Sequence, residues 1–500
     1  MITARIGSKW REYEGELETY FSSFRTGIIG NGHKVKTPIG EKEIIYADWT
    51  ASGRLYEPIE KRIVEKIGPF MANTHTESNA TSSFMTAAYK KARTIIKQHV
   101  HASEEDVLIM DGFGMTSVMN KFQRILGLRG PETWKAQINL RKEDRPVVFI
   151  THMEHHSNHT SWQETLAEVI VVPPDKGGNV SPRNLEKMLE QYRHRKWKIG
   201  SFTSCSNVTG IVTPYHELAK VMHQFGGVCV VDFAAAAPYI YMDMHPLDPL
   251  EKLDAILFSP HKFLGGPGTS GVLLFDKKLY HNKVPDHPGG GTVTWTDPWG
   301  GHAYYDDIET REDGGTPGIL QAIRTALCIR LKEKMGVERI VAREHEMVKL
   351  LLGELSDLPE VHVLEAEKKN RIGIVSFYIS DIHYNLVVKL LNDRFGFQVR
   401  GGCSCAGTYG HYLFDIDEAA SKAITDKISE GDHTGKPGWI RFSMHPTMNN
   451  AEIYDFVDAL RLIIRHQEEW KREYRYCASS NDYFYLKREL RDVEKLYEIM

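Results

Sequence analysis

The sequence predicts an α/β protein: a large domain with a mainly parallel sheet, followed by a smaller αβ domain. Two observations carry this. Short apolar runs, VVFIT (147–151), VIVVP (169–173), IGSFTS (199–204) and GVLLF (271–275), alternate with helical stretches, the pattern of strands joined by crossover helices. Two further runs, 228–231 and 255–258, each end in polar groups, Asp232 after the first and Ser259, His261 and Lys262 after the second. In an open parallel sheet such strand ends face one crevice, where ligands bind, so an acid and an amine should meet over a single site. At 500 residues the chain exceeds what one core normally encloses, which argues for two domains or more.

In chain order, residues 1–43 mix charged and aromatic side chains and read as an arm packing on the body. Residues 44–336 carry the alternating runs. Within them DGFGMTSVMN (111–120) places glycines between the strand VLIM and a helix, the setting in which backbone N–H groups at a helix start can cradle a phosphate. The stretch 318–335 spaces Ile319, Leu320, Ile323, Leu327 and Leu331 as one helix, stopped by Gly336. A second αβ unit spans 337–465, with strands near 361–364, 372–379 and 439–444. The tail, 466–500, reads as a charged amphipathic helical extension.

Composition excludes several classes. A hydrophobic content of 41% and a charged content of 26% are ordinary for a globular protein, and a formal net charge of −4 without a basic patch argues against nucleic acid as a partner. The N-terminal stretch lacks the apolar core of a signal peptide, and no apolar run approaches the roughly 20 residues that span a membrane, so a cytoplasmic protein with no membrane partner is expected. Six cysteines in this length make no disulfide framework. The Cys403-Ser404-Cys405 pair has no second CxC or CxxC to complete a zinc site, and no metal is expected.

An amine and a carboxylate at neighbouring strand ends suit pyridoxal 5'-phosphate. Lys262 supplies the amine for a Schiff base with the aldehyde, and Asp232 keeps the pyridine nitrogen protonated. Gly265, Gly266 and Gly268 around Pro267 form a tight loop behind the lysine.

At these residues the chain resembles the class V aminotransferases, pyridoxal-phosphate enzymes of fold type I, and within them the cysteine desulfurases and selenocysteine lyases. The anchors follow in family order: YADWTAS (46–52), MEHHSN (153–158), SNVTG (206–210), VDFAAA (231–236), SPHK (259–262) and GGTPG (314–318). The resemblance implies that His155 lies over the cofactor ring, where an imidazole titrating near neutral pH could relay protons. A metal site shared by His152, His155, His156 and His159 is the rival reading. The resemblance also puts Gly114, Met115 and Thr116 under the phosphate with Ser259 and His261 beside it. Gly315 and Thr316 would reach the phosphate of a second subunit, which implies a homodimer. Asn207 and Arg441 are assigned to the amino-acid substrate, with Arg441 at a strand end and Arg400 a further candidate for its carboxylate. One departure is Ala235, where relatives commonly carry Gln or His.

The loop VRGGCSCAGTYGHY (399–412) aligns with the family's RTGHHCA segment and places Cys405 at the nucleophile position, with Cys403 two residues earlier. Gly401, Gly402 and Gly407 permit a mobile loop that carries a thiol to substrate. The residues alone do not separate the two thiols. The implied function is conversion of L-cysteine to L-alanine with a persulfide left on Cys405 and passed to a sulfur-acceptor protein. The alternatives are an aminotransferase, epimerase or C–S lyase of the same fold acting on another amino acid.

Overall fold

The structure, a computed structural model, describes residues 15–487 apart from 75, 136 and 139, together with 496–498. Seven strands form the main sheet: β1 (Asp106–Asp111), β2 (Val147–Thr151), β3 (Glu168–Val172), β4 (Lys198–Thr203), β5 (Val228–Asp232), β6 (Ala255–Phe258) and β7 (Gly271–Asp276), in the order β1-β7-β6-β5-β4-β2-β3. Strands β2 to β6 pair in parallel, whereas β7 runs antiparallel to both β6 and β1. Every residue of β2, β4 and β6 is buried, because helices cover both faces. Their uninterrupted apolar runs are the sequence signature of that double cover.

The helices that matter below are α1 (Leu17–Arg25), α2 (Ala80–His99), α3 (Met115–Ile125), α4 (His156–Gln163), α5 (Ile319–Met335), α6 (Val337–Ser356), α7 (Tyr384–Leu390) and α8 (Asn450–Trp470). Helix α5 follows the predicted spacing, buries Ile319, Ile323 and Leu331 and ends where Gly336 takes φ +79°. It packs along α2.

A second sheet of four strands, β8 (Val361–Val363), β9 (Ile374–Ile379), β10 (Arg400–Gly402) and β11 (Trp439–Ser443), is antiparallel throughout in the order β8-β9-β11-β10. Helices α6 and α8 pack together beside it. A capping box between Asn449 and Glu452 starts α8, and Arg25 of α1 grips the same Glu452 carboxylate at 2.7 and 2.8 Å, which ties the described part of the N-terminal arm to this unit. The stretch after the arm bridges the two sheets. Ile45 and Tyr46 pair in parallel with Phe397 and Gln398, the N–H of Ser443 donates to the Ala47 carbonyl at 2.8 Å, and the N–H of Gly53 donates to the His261 carbonyl at 2.8 Å.

The tail departs from the helical expectation. Helix α8 stops at Trp470, a short turn follows, and Tyr474–Cys477 then pairs with Asp482–Tyr485 as an antiparallel hairpin. The tyrosines at 474, 476, 483 and 485 alternate along these strands, a period of two that the surrounding charge obscured. The helical reading of 488–495 lies outside the described residues.

A Cβ built on Gly53 would fall 1.9 Å from the Phe263 carbonyl oxygen, so this glycine lets the bridging stretch lie against the Lys262 turn. Gly53→Ala should destabilise the chain by about 1–3 kcal/mol in denaturant unfolding. Unchanged stability would mean that this close approach is not required.

Candidate active site

A cavity of about 430 Å³ opens at the carboxyl ends of β4, β5 and β6, against the N-termini of α3 and α4. Lys262 and Asp232 both line it, as two adjacent parallel strands require. Strand β6 runs into the turn Pro260–Lys262, which ends the lysine backbone at the cavity wall. Burial pulls the Lys262 amine down from 10.5 to about 8, with the Asp232 charge opposing that shift and Arg441 adding to it. Burial likewise pushes Asp232 up to about 6, although Oδ1 accepts from the Ala234 N–H at 2.8 Å and Lys262 draws it back. Burial disfavours both charges, and each group's charge opposes that shift in the other.

His155 caps α4 and lines the same wall, its Nδ1 accepting from the Ser157 N–H at 3.1 Å. Burial, with the nearby charges of Lys262, His156 and Arg441, lowers it to about 3. The ring is therefore neutral near neutral pH, and with Nδ1 accepting its proton lies on Nε2. Beneath it Glu154 is fully buried and raised to about 7 by loss of solvent, and it accepts from the Thr151 hydroxyl (2.7 Å), the Asn158 amide (2.7 Å) and the Thr203 N–H (3.0 Å). The other histidines of that segment diverge. His152 lies between the rings of Tyr409 and Tyr412, His156 Nε2 accepts from the Gly407 N–H at 3.0 Å, and His159 meets the Thr408 hydroxyl at 3.1 Å. Among the described residues no three His, Cys, Asp or Glu side chains gather as a metal site.

At the far end, Gly114 caps α3 and leads into Met115 and Thr116. The Met115 N–H donates to Ser259 Oγ at 2.8 Å, and Thr116 Oγ1 meets Ser157 Oγ at 2.6 Å. A Cβ on Gly114 would fall 3.2 Å from Ser259 Oγ and 3.5 Å from the His261 ring, which burial keeps neutral by lowering it to about 4. Glycine keeps this cradle open to an anion at the helix start.

The opposite wall holds Arg441, which lies in the middle of β11 and not at its end. Arg400 on β10 is its direct cross-strand partner, an arrangement that places two like charges side by side. Asp48 resolves it. Arg441 Nη2 donates to Asp48 Oδ1 at 2.9 Å, and Arg400 donates to Oδ2 through Nε (3.0 Å) and Nη2 (2.9 Å). Arg441 Nη1 donates to the Asn207 carbonyl at 3.0 Å, and its buried Nε has no partner among the described residues. Asp48 is the residue sequence reasoning passed over. It stood inside YADWTAS, and only the register of two later strands reveals the arginines it serves.

Between these walls runs the cysteine loop. Cys405 is exposed and lines the cavity with Ser404, whereas Cys403 is half-buried, packs against the core and stays off the wall. The loop is more firmly held than its glycines predict: the Asn207 amide donates to the Ser404 carbonyl (2.7 Å), Trp439 Nε1 to Ser404 Oγ (3.2 Å) and the His156 N–H to the Cys405 carbonyl (2.8 Å). Gly315 and Thr316 stand apart from this cavity, Thr316 Oγ1 accepting from the Asn73 amide at 3.2 Å.

The residues fit pyridoxal phosphate. Lys262 and Asp232 supply the amine and the acid, the α3 start supplies an anion cradle, and two buried oxygens on the wall, Asn207 Oδ1 and Thr50 Oγ1, have no hydrogen-bond partner among the described residues. Ala235 lines the wall at the departure noted above.

Comparison with known proteins shows the family and its relatives. Residues 45–456 match the sequence model of the family Aminotransferase class-V. A probable cysteine desulfurase of Halalkalibacterium halodurans is 29% identical over 388 residues, covering 75% of this chain and 89% of that protein. A probable cysteine desulfurase of Staphylococcus aureus is 27% identical over 372 residues, covering 74% and 84%. The solved cysteine desulfurase of Thermococcus onnurineus superposes with a TM-score of 0.67 at 25% identity, over 85% of this chain and 95% of that one.

The electrostatics give a direct check. In the cofactor-free chain, acetylation of Lys262 followed across pH by peptide mapping should show a midpoint near 8. Asp232→Asn should move that midpoint lower, because the carboxylate's charge is what holds the amine up. A midpoint at the ordinary lysine value would contradict the site's described dryness.

Proposed function

The chain belongs to the class V aminotransferase family, and from that premise we propose that it is a pyridoxal-phosphate-dependent cysteine desulfurase that converts L-cysteine to L-alanine and keeps the sulfur as a persulfide on Cys405. The observation that carries the reading is the shared wall: Cys405 faces the same cavity as Lys262, Asp232 and Arg441, and Cys403 does not. The curated relatives named above supply the substrate.

When bound, the cofactor supplies an electron sink for negative charge developing at the substrate's α-carbon. Lys262 would hold it covalently and Asp232 would hold its ring nitrogen. His155 would lie against the ring, and Gly114, Met115, Thr116, Ser259 and His261 would hold the phosphate. Asn207 and Arg441 orient the amino acid, Arg441 through its fork of donors to the α-carboxylate, with Arg400 at the rim. Once free of its covalent bond, the Lys262 amine takes the α-proton, since an amine near 8 is a competent base close to neutral pH. The Cys405 thiolate then attacks the substrate sulfur. An S–S bond forms as the C–S bond breaks, the bonding pair passes to the β-carbon, and protonation there together with return of the α-proton from the Lys262 ammonium yields alanine. Cysteine plus enzyme thiol thus becomes alanine plus enzyme persulfide, with no outside oxidant or reductant.

The finer assignments share this standing. A homodimer is supported by the place of Gly315 and Thr316 off their own chain's cavity, and by Phe113 at its mouth, 90% exposed. A sulfur-acceptor protein is supported by the exposure of Cys405. A cytoplasmic setting suits six free thiols, and no described helix is long and apolar enough to cross a membrane.

With cofactor and cysteine, the protein should form alanine and persulfide, and Cys405→Ala should lose alanine formation while Cys403→Ala retains the first turnover. A keto acid or an inverted α-centre as product would replace this reading with the aminotransferase or epimerase one. Asp48→Ala should raise KM for cysteine about tenfold with a smaller change in kcat, since it frees both arginines from their shared carboxylate and misaligns the fork. An unchanged KM would remove Asp48 from substrate binding. Heterodimers of a Lys262→Ala chain with a Thr316→Ala chain should recover activity, and absence of rescue in verified heterodimers would argue for self-sufficient chains.

A further inference from the structure

The C-terminal hairpin lies beyond the family match at 45–456, yet it is wired to the strand that leads into the cysteine loop. Its hub is Asn481, buried in the turn of the hairpin with φ +52°. Asn481 Oδ1 accepts from Tyr476 Oη at 2.8 Å and from His383 Nε2 at 3.1 Å. The His383 tautomer follows from its other nitrogen, which accepts from the Asn385 N–H at 3.1 Å. Asn481 Nδ2 donates to Tyr384 Oη at 2.5 Å, and its backbone carbonyl accepts from the Asn385 amide. One residue thereby satisfies three consecutive side chains at the start of α7.

Helix α7 in turn leans on β10, β11 and the second hairpin strand. A methyl on Gly438 would fall 2.6 Å from Tyr384 Cε1 and 3.0 Å from Gly402 Cα, and a methyl on Gly401 would fall 3.3 Å from Tyr384 Cδ2. The tyrosine ring is therefore wedged against Gly438 and against Gly401, two residues before Cys403. Beyond them Ser404 and Cys405 both take positive φ, +50° and +57°. Two successive non-glycine residues in that region are strained and persist only where the surroundings over-determine them. The Asn207, Trp439 and His156 bonds hold the loop from the cavity side. The Tyr384 wedge holds it from behind, and Asn481 holds the wedge.

We propose that Asn481 is a positioning residue for the Cys403-Ser404-Cys405 loop, acting through Tyr384 and Asn385. The catalytic consequence rests on the desulfurase reading, while the mechanical one does not. The test uses the cofactor-bound full chain. Asn481→Gly tolerates the positive φ and removes the side-chain bonds, while the hairpin remains docked through Tyr474 Oη on Asp393 (2.9 Å) and Arg394 on Glu473 (2.7 Å). Tyr384→Phe keeps the ring and removes the hydroxyl that accepts from Asn481 and donates to the Lys436 carbonyl at 3.3 Å, and Asn481→Ser, which shortens the side chain out of reach of Tyr384 while leaving the Lys436 bond, decides the matter if the glycine variant does not fold.

Expected in these variants are roughly three- to tenfold faster iodoacetamide alkylation of Cys405, mapped by mass spectrometry, and faster amide exchange over 400–407 with β1 to β7 unaffected. A matching fall in kcat for alanine formation should accompany them, with KM within about twofold. Wild-type alkylation and exchange at the loop in these variants would overturn the proposal. Loosened thiols in a protein that makes no alanine from cysteine would leave the positioning role standing and remove the desulfurase reading.

Discussion

The structure depends on one constraint: an amine and a carboxylate must sit together at the dry end of a parallel sheet, the carboxylate on the last residue of β5 and the amine on the turn that follows β6. Taking Lys262 out of water costs its charge, and Asp232 on the neighbouring strand partly restores it. The parallel pairing of β5 with β6 puts Asp232 beside Leu257, one residue before the chain leaves β6 for the lysine turn, and the antiparallel β7 pairs along the other side of β6. The uniform burial of the central strands follows from the same need. A site that shifts an amine to about 8 requires walls that exclude water, and the helices on both faces supply them.

The second sheet solves a different electrostatic problem. Register places Arg400 opposite Arg441, which would repel in an isolated antiparallel pair. Asp48 removes the repulsion and comes from the bridging stretch that also touches the lysine turn through Gly53. One short segment therefore links the paired arginines of the small sheet to the lysine turn of the large one. Anything that shifts the two sheets relative to each other would be felt by Asp48 at both ends.

Much of this was legible in the sequence, and what was missed had physical causes. The buried strands announced themselves as unbroken apolar runs, and the polar residues at their ends marked the crevice because strand ends in a parallel sheet converge. Asp48 escaped notice because its partners are fixed by strand register, which local sequence does not encode. The burial that lowers His155 is invisible in a motif. The hairpin at 474–485 was hidden by the charged residues around it, which mimic a solvated helix face although its tyrosines alternate. The separation of Cys405 from Cys403 came from backbone dihedrals and a cavity wall, neither of which a glycine-rich loop discloses.

The central claim is that one cavity brings Lys262 and Cys405 to the same substrate. The most direct measurement is a single turnover of the cofactor-bound protein with cysteine labelled at sulfur, quenched with an alkylating reagent and mapped by mass spectrometry alongside the alanine formed. The account predicts one labelled persulfide on Cys405 per alanine. Alanine without label on the protein, or label carried by Cys403 alone, would contradict it.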